Sequence, residues 1–302
     1  MTHFHIVRVA INAHHVMYDE VVEAMTASLR ELGHVCTNKT NEAAAGAINI
    51  LIGSTIFATD LDKKLTGIPY IVYQLERLDS SRGLLPDHPA YRALLAGATE
   101  IWDYAPSSAA FLRQHGFPPV RLIPPGHHAC LERFAPVPDP DIDLVFAGTN
   151  HPRRLAILNE LAAAGVKVVH LDGCYGSLRD DYLARAKITL NIHAWADLTA
   201  LETVRISYLL ANRCFVISEI ADHDPYPGGV IYARYEALAS TCLEWLGRPV
   251  SERVSIAESG RRSTRGRKLT DILALALLDG DFQPQRNKDG ADDLALPTAQ
   301  PG

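Results

Sequence analysis

The 302-residue sequence has no excess of basic charge, no regular cysteine pattern and no long apolar run. Lys and Arg number 29 against 35 Asp and Glu, a net charge of −6, whereas a general nucleic-acid binder is basic. Five cysteines (Cys36, Cys130, Cys174, Cys214, Cys242) are scattered, and no two have C-x-x-C spacing. That excludes a zinc ribbon and gives no disulfide framework. The start, MTHFHIVRVAIN, has no basic segment leading into an apolar one, and no 18-residue apolar stretch follows. The expectation is a soluble, reduced, cytoplasmic chain. Trp102, Trp195 and Trp245 are too dispersed to form a base-stacking platform. Familiar enzyme signatures are missing too. The turn after the first apolar run is Asn12-Ala13-His14-His15, not G-x-G-x-x-G. There is no G-x-x-x-x-G-K-[ST] phosphate loop, no G-x-S-x-G elbow and no H-E-x-x-H zinc helix.

What the sequence does have is material for two cores. Apolar residues make up 47 % and charged residues 21 %, over a length that suits two domains. Apolar runs at 6–12, 48–53, 68–74, 100–104 and 120–124 alternate with helical patterns at 18–32, 89–97 and 107–115. A proline cluster over 124–141 breaks the rhythm, which then restarts. Strands are expected at 143–148, 166–171, 188–192, 214–218 and 230–232. Helices are expected at 152–164, 178–186, 201–212, 235–246, 251–265 and 269–278. Strands spaced by helices imply parallel βαβ units, hence an α/β fold with two Rossmann-like, doubly wound parallel sheets facing a cleft. The expected division is 1–125, 126–282 and a disordered tail over 283–302.

The richest segment is 143–154, DLVFAGTNHPRR. A strand runs into Gly148-Thr149-Asn150, and a helix starts near Pro152, a residue favoured at the first helical position. The free N–H groups and positive end of such a helix suit a phosphate, and Arg153 and Arg154 add charge. An ordinary strand-to-helix turn with two solvent-facing arginines would read the same. In 188–219, His193 stands just past a strand, Glu202 at a helix start and Arg205 one turn on. Strand C-termini and helix N-termini of an open sheet converge on one crevice. There Glu202 can accept hydrogen bonds from sugar or ribose hydroxyls, or merely complement the helix dipole and pair with Arg205.

The succession F-x-G-T, an R-R helix, G-x-Y-G, A-K-x-x-L-N-x-H, L-E-x-x-R and V-I-S-E resembles the C-terminal half of GT-B glycosyltransferases, nearest the spore-coat-like and family 4 enzymes. The motifs cover 143–219; the first half is matched by its α/β rhythm and by a Pro124-Pro125-Gly126 turn. The resemblance implies a nucleotide-diphosphate sugar as co-substrate, no further cofactor, no metal, and an acceptor of unspecified kind. It places Gly148, Thr149 and Arg153 or Arg154 against the diphosphate, Tyr175 near the nucleobase, and Asn150, His193, Glu202 and Arg205 around the donor. One departure stands out. Family 4 enzymes carry a second Glu eight positions before the matching one, and here that position is Ala194, beside His193.

Candidates for activating an acceptor hydroxyl lie in the first half. They are His14 and His15 after the first strand, and Glu76 at the end of another. A loop histidine pair and a carboxylate paired with Arg77 are the plainer readings. His127 and His128 follow the proline turn, where the linker would approach the donor phosphates; plain linker residues are the simpler reading. The run 261–268, RRSTRGRK, has five cations in eight residues and reads as a solvated helix end or a peripheral contact with acidic lipid. A non-catalytic two-domain binder of small ligands and an inactive transferase-like scaffold fit the same architecture.

Overall fold

A computed structural model describes residues 1–10, 13–54, 65–76, 78, 88–197 and 200–278, and at 13–15 the backbone alone. The expected tail over 283–302 lies outside the described residues. By its internal contacts the chain forms two units, Met1–Pro124 with the segment from Thr270 onward, and Pro125–Leu269. The sequence reading placed 270–282 with the second half; the structure groups the last helix with the first unit. Thr270 Oγ1 donates to Glu31 at 2.7 Å, and Leu273 is fully buried.

The first unit is built on a six-stranded, all-parallel sheet of order β2-β1-β3-β4-β5-β6. Its strands are β1 (His3–Arg8), β2 (Val35–Thr40), β3 (Ile48–Ile52), β4 (Tyr70–Gln74), β5 (Glu100–Asp103) and β6 (Val120–Leu122). Helices α1 (Asp19–Glu31), α2 (Pro89–Ala96) and α3 (Pro106–Gln114) connect them, with α9 (Leu269–Leu278) returning at the end. The central strands are buried on both faces, as parallel sheets covered by helices require. Strand β2, sequence VCTNKT, was not expected. It is an edge strand, mostly exposed, so it needs no apolar run. Strand β1 begins earlier than the 6–12 run suggested, because Phe4, His5, Ile6 and Val7 are its buried residues.

The second unit has a five-stranded, all-parallel sheet of order β11-β10-β9-β7-β8. Strands β7 (Ile142–Ala147), β8 (Val168–Leu171), β9 (Ala186–Asn191), β10 (Val216–Glu219) and β11 (Val230–Ala233) are joined by α4 (Pro152–Ala163), α5 (Gly176–Ala184) and α6 (Thr203–Ala211). Helices α7 (Leu238–Gly247) and α8 (Val250–Arg265) complete it. From β7 the chain moves outward to β8, then crosses to β9 on the other side. The connections after β7 and β9 therefore diverge, which opens the crevice where ligands of doubly wound sheets bind.

The basic run ends α8 and is partly consumed inside this unit. Arg261 donates to Glu132 at 2.8 Å and Arg265 through two bonds of 2.7 Å, while His127 Nε2 lies 2.9 Å away. Arg265 first, and Arg261 and His127 after it, hold the Glu132 carboxyl down at about 2. His127 and His128 are structural here. The His127 backbone pairs with Arg267 and Leu269, and the His128 ring accepts the Cys130 N–H. No helix among the described residues is long and apolar enough to cross a membrane.

Candidate functional site

At the divergence of β7 and β9, the strand ends carry Gly148, Thr149, Asn191 and His193, and the helices that follow begin with Arg153, Arg154 and Glu202. Helix α4 starts as its sequence predicts, with Pro152 at the first position. The His151 ring caps it by accepting the Arg153 N–H. Gly148 is required by its surroundings. A Cβ there would lie 2.8 Å from Phe146 Cζ and 3.4 Å from an Arg205 guanidinium nitrogen. The turn is held from β8, where the His170 ring meets the Gly148 carbonyl at 2.8 Å.

The two arginines of α4 do different things. Arg153 forks onto Glu219 and reaches the His193 carbonyl at 3.0 Å. Its guanidinium stacks 3.7 Å from the Tyr235 ring centre. Arg154 is buried, donating to the Ile192 carbonyl at 3.0 Å and to Thr149 Oγ1 at 2.9 Å. Arg205 donates to Asn191 Oδ1 at 2.7 Å. The guanidinium carbons of Arg154 and Arg205 lie 5.4 and 5.9 Å from the Phe146 ring centre. Burial, reinforced by the nearby charge of Arg205, lowers Arg154 to about 10, so it stays cationic at neutral pH. Among the described residues neither Arg154 nor Arg205 forms an ion pair; their hydrogen-bond acceptors are neutral.

Glu202 precedes the first turn of α6 without capping it with its side chain. Its carboxylate meets His193 Nδ1 at 3.1 Å and accepts from Asn191 Nδ2 at 2.8 Å. Arg205, expected as its partner, instead shares Asn191. Both nitrogens of the His193 ring face acceptors, Glu202 on one side and the Ile220 carbonyl at 3.1 Å on the other. Only the imidazolium satisfies both. Burial works against that charge, but the Glu202 hydrogen bond and charge outweigh it and raise His193. On Glu202, burial again opposes ionisation, and His193, Arg205 and Asn191 overcome it, holding the carboxyl at about 2. The site thus contains two close ion pairs, Arg153–Glu219 and His193–Glu202, beside Arg154 and Arg205, which form no direct ion pair among the described residues although the Glu202 charge acts on both.

The other expected residues are spread around this centre. Asn150 is exposed and donates to Asp172. Tyr175 precedes α5 in a turn where Gly173 and Gly176 adopt positive φ. Trp195 is an exposed ring packed edge-on to His151 at 4.2 Å. Glu76 belongs to the first unit, where it accepts from the Tyr18 hydroxyl at 2.9 Å. The side chains of His14 and His15 lie outside the described residues. Asn191 and Glu219 were not picked out from the sequence. The available signal was their position: each polar side chain ends an apolar strand at the edge where this fold binds ligands. No group of three His, Cys, Asp or Glu able to hold a metal occurs among the described residues.

No known protein-family description matches the chain. In sequence it is similar to uncharacterized proteins of Acanthamoeba polyphaga mimivirus. One is 30 % identical over 111 residues, which is 34 % of this chain and 39 % of that protein. Another is 29 % identical over 110 residues, 34 % of this chain and 36 % of the relative. The match thus spans little more than a third of either relative's length. In structure the chain is similar to an E. coli protein described as trehalose-6-phosphate bound with UDP-2-fluoro glucose. That match has a TM-score of 0.58 and 9 % identity, over 92 % of this chain and 98 % of the other. A glycosyltransferase involved in avilamycin A biosynthesis gives 0.55 at 12 % identity, covering 92 % and 96 %. A UDP-forming trehalose-phosphate synthase from Burkholderia xenovorans gives 0.52 at 13 %, covering 89 % and 79 %. The fold is GT-B.

Proposed function

We propose that this GT-B chain is a glycosyltransferase of the kind the 143–219 motifs resemble, moving a sugar from a nucleotide-diphosphate donor to an acceptor hydroxyl. The observation that carries this reading is the pair Arg154 and Arg205. They are two cations with no ionic partner among the described residues, set beside a glycine turn and a helix N-terminus. A diphosphate supplies the missing charge, and the backbone N–H groups at the start of α4 suit its oxygens. Glu202, ionised and held by His193, accepts hydrogen bonds from sugar or ribose hydroxyls. The turn at Tyr175 borders the nucleobase.

In the reaction the bond from the anomeric carbon to the diphosphate oxygen breaks, and its electron pair stays on that oxygen. The two guanidinium groups stabilise the developing charge. The acceptor oxygen bonds to the anomeric carbon and gives up its proton, for which Glu76 and His14 or His15 are the receiving candidates. No metal enters this proposal, and the expected compartment is the cytoplasm.

Incubation with radiolabelled UDP-, GDP- and dTDP-sugars tests it. Wild-type protein is expected to release the sugar by transfer or slow hydrolysis. Glu202→Ala is expected to lose at least about tenfold in rate while keeping its fold. A wild type that binds donors without consuming any of them would point to the inactive scaffold.

A further inference from the structure

Arg153 is one of the two arginines that the motifs send to the phosphates, and its surroundings give it another task. Its guanidinium makes a two-pronged bond to Glu219. The same nitrogen that bonds one Glu219 oxygen also donates to the His193 carbonyl at 3.0 Å. Glu219 in turn accepts the His193 backbone N–H at 3.1 Å. The His193 peptide groups are therefore gripped on both sides by one ion pair. Tyr235 fixes the arginine, with its ring 3.7 Å from the guanidinium carbon and its hydroxyl donating to the Arg153 carbonyl at 2.7 Å. Both charges are nearly buried, with side-chain exposures of 15 % and 10 %. A guanidinium spent in this way has little left for an anion.

We propose that Arg153 and Glu219 are positioning residues. They lock the backbone of His193 so that its ring stands between Glu202 and the Ile220 carbonyl, and the diphosphate is left to Arg154 and Arg205. The groups facing His193 are Glu202 from the turn before α6, Glu219 from the end of β10, Arg153 from α4 and the Ile220 carbonyl. Turning the His193 ring would release Glu202, so the pair acts on the donor site through two residues in series. The part of this inference that concerns donor binding rests on the function proposed above; the grip on His193 does not.

The test is the titration of His193, followed by NMR on full-length protein with 15N-labelled histidine, in wild type, Arg153→Lys and Glu219→Gln. Thermal unfolding checks that each variant folds. Glu219→Gln removes a negative charge and lowers the His193 midpoint under any account, so Arg153→Lys decides. Lysine keeps the charge and loses the fork. Positioning predicts that Arg153→Lys lowers the midpoint, by the equivalent of about tenfold in proton affinity. An unchanged or raised midpoint overturns the proposal.

UDP, GDP, ADP and dTDP supply the second reading. Positioning predicts that both variants weaken whichever diphosphate binds wild type, by about tenfold or more. Unweakened binding in Arg153→Lys would overturn the positioning role at the donor site, and weaker binding there together with tighter binding in Glu219→Gln would make Arg153 an ordinary phosphate ligand. Should either variant fail to fold, Tyr235→Leu loosens the same guanidinium with both charges kept. It is expected to lower the midpoint too, and no change there overturns the grip. If no diphosphate binds wild type while Arg153→Lys still lowers the midpoint, the functional reading fails and the positioning pair stands.

Discussion

Glu202 stands just before a helix and leaves the helix N–H groups alone, turning its carboxylate to His193 and Asn191. The two ionisations depend on each other, and the sign of their contribution to stability can be worked out. His193 is raised in the folded chain, so its share is full below its ordinary value of 6.5 and fades as pH climbs through the folded value. Glu202, held at about 2 against an ordinary 4.5, contributes above 4.5 and loses that share as pH falls toward 2. The pair therefore stabilises most between about pH 4.5 and 6.5. Glu202→Gln is expected to cost about 2 kcal/mol there, less than a fully buried pair because the Glu202 side chain keeps 26 % exposure. Urea unfolding at pH 5.5 and 8.5 checks this, with a smaller penalty expected at the higher pH and an equal one contradicting it. Gly148 gives a second test at this scale. In Gly148→Ala the new methyl meets Phe146 at 2.8 Å, and the expected loss of about 1–3 kcal/mol, read by urea unfolding, comes with weaker nucleotide binding.

The elements around the site are set by close approaches as much as by apolar stripes. Helix α8 lies against α6 and the turn before β11 at Gly260, where an added Cβ would be 2.6 Å from Leu210 and 3.0 Å from the Gly229 carbonyl. Alanine is the better helix former by up to about 1 kcal/mol, yet here the contact is partly with backbone, which cannot swing aside. Gly260→Ala is therefore expected to lower the melting temperature rather than raise it, and a stabilised variant would show that α8 has slack. Because α6 carries both Arg205 and the Glu202 turn, the same variant is expected to weaken donor binding.

Over the whole molecule, the alternation of apolar runs and helical patterns was enough to read two parallel α/β units, since buried parallel strands show themselves as continuous apolar segments. Strand β2 escaped because an edge strand with polar residues carries no such run. Helix α9 was assigned to the wrong neighbour because its buried face says only that it is covered, and the contact to Glu31 lies 239 positions away in sequence. The site divides in the same way. Gly148, Arg154, Glu202 and Arg205 were visible through their spacing, while the Arg153–Glu219 and Asn191–Glu202 partnerships cross from one strand end to another. Motif spacing records which residue follows a strand; it does not record which charge across the sheet has already claimed it.

Arg154 and Arg205, which form no direct ion pair among the described residues, are proposed to hold a diphosphate. Calorimetric titration of UDP, GDP, ADP and dTDP into wild type, Arg154→Gln and Arg205→Gln tests it most directly. Wild type is expected to bind at least one of them saturably, and each variant to bind it at least about tenfold more weakly. No binding by wild type, or undiminished binding by both variants, would contradict it.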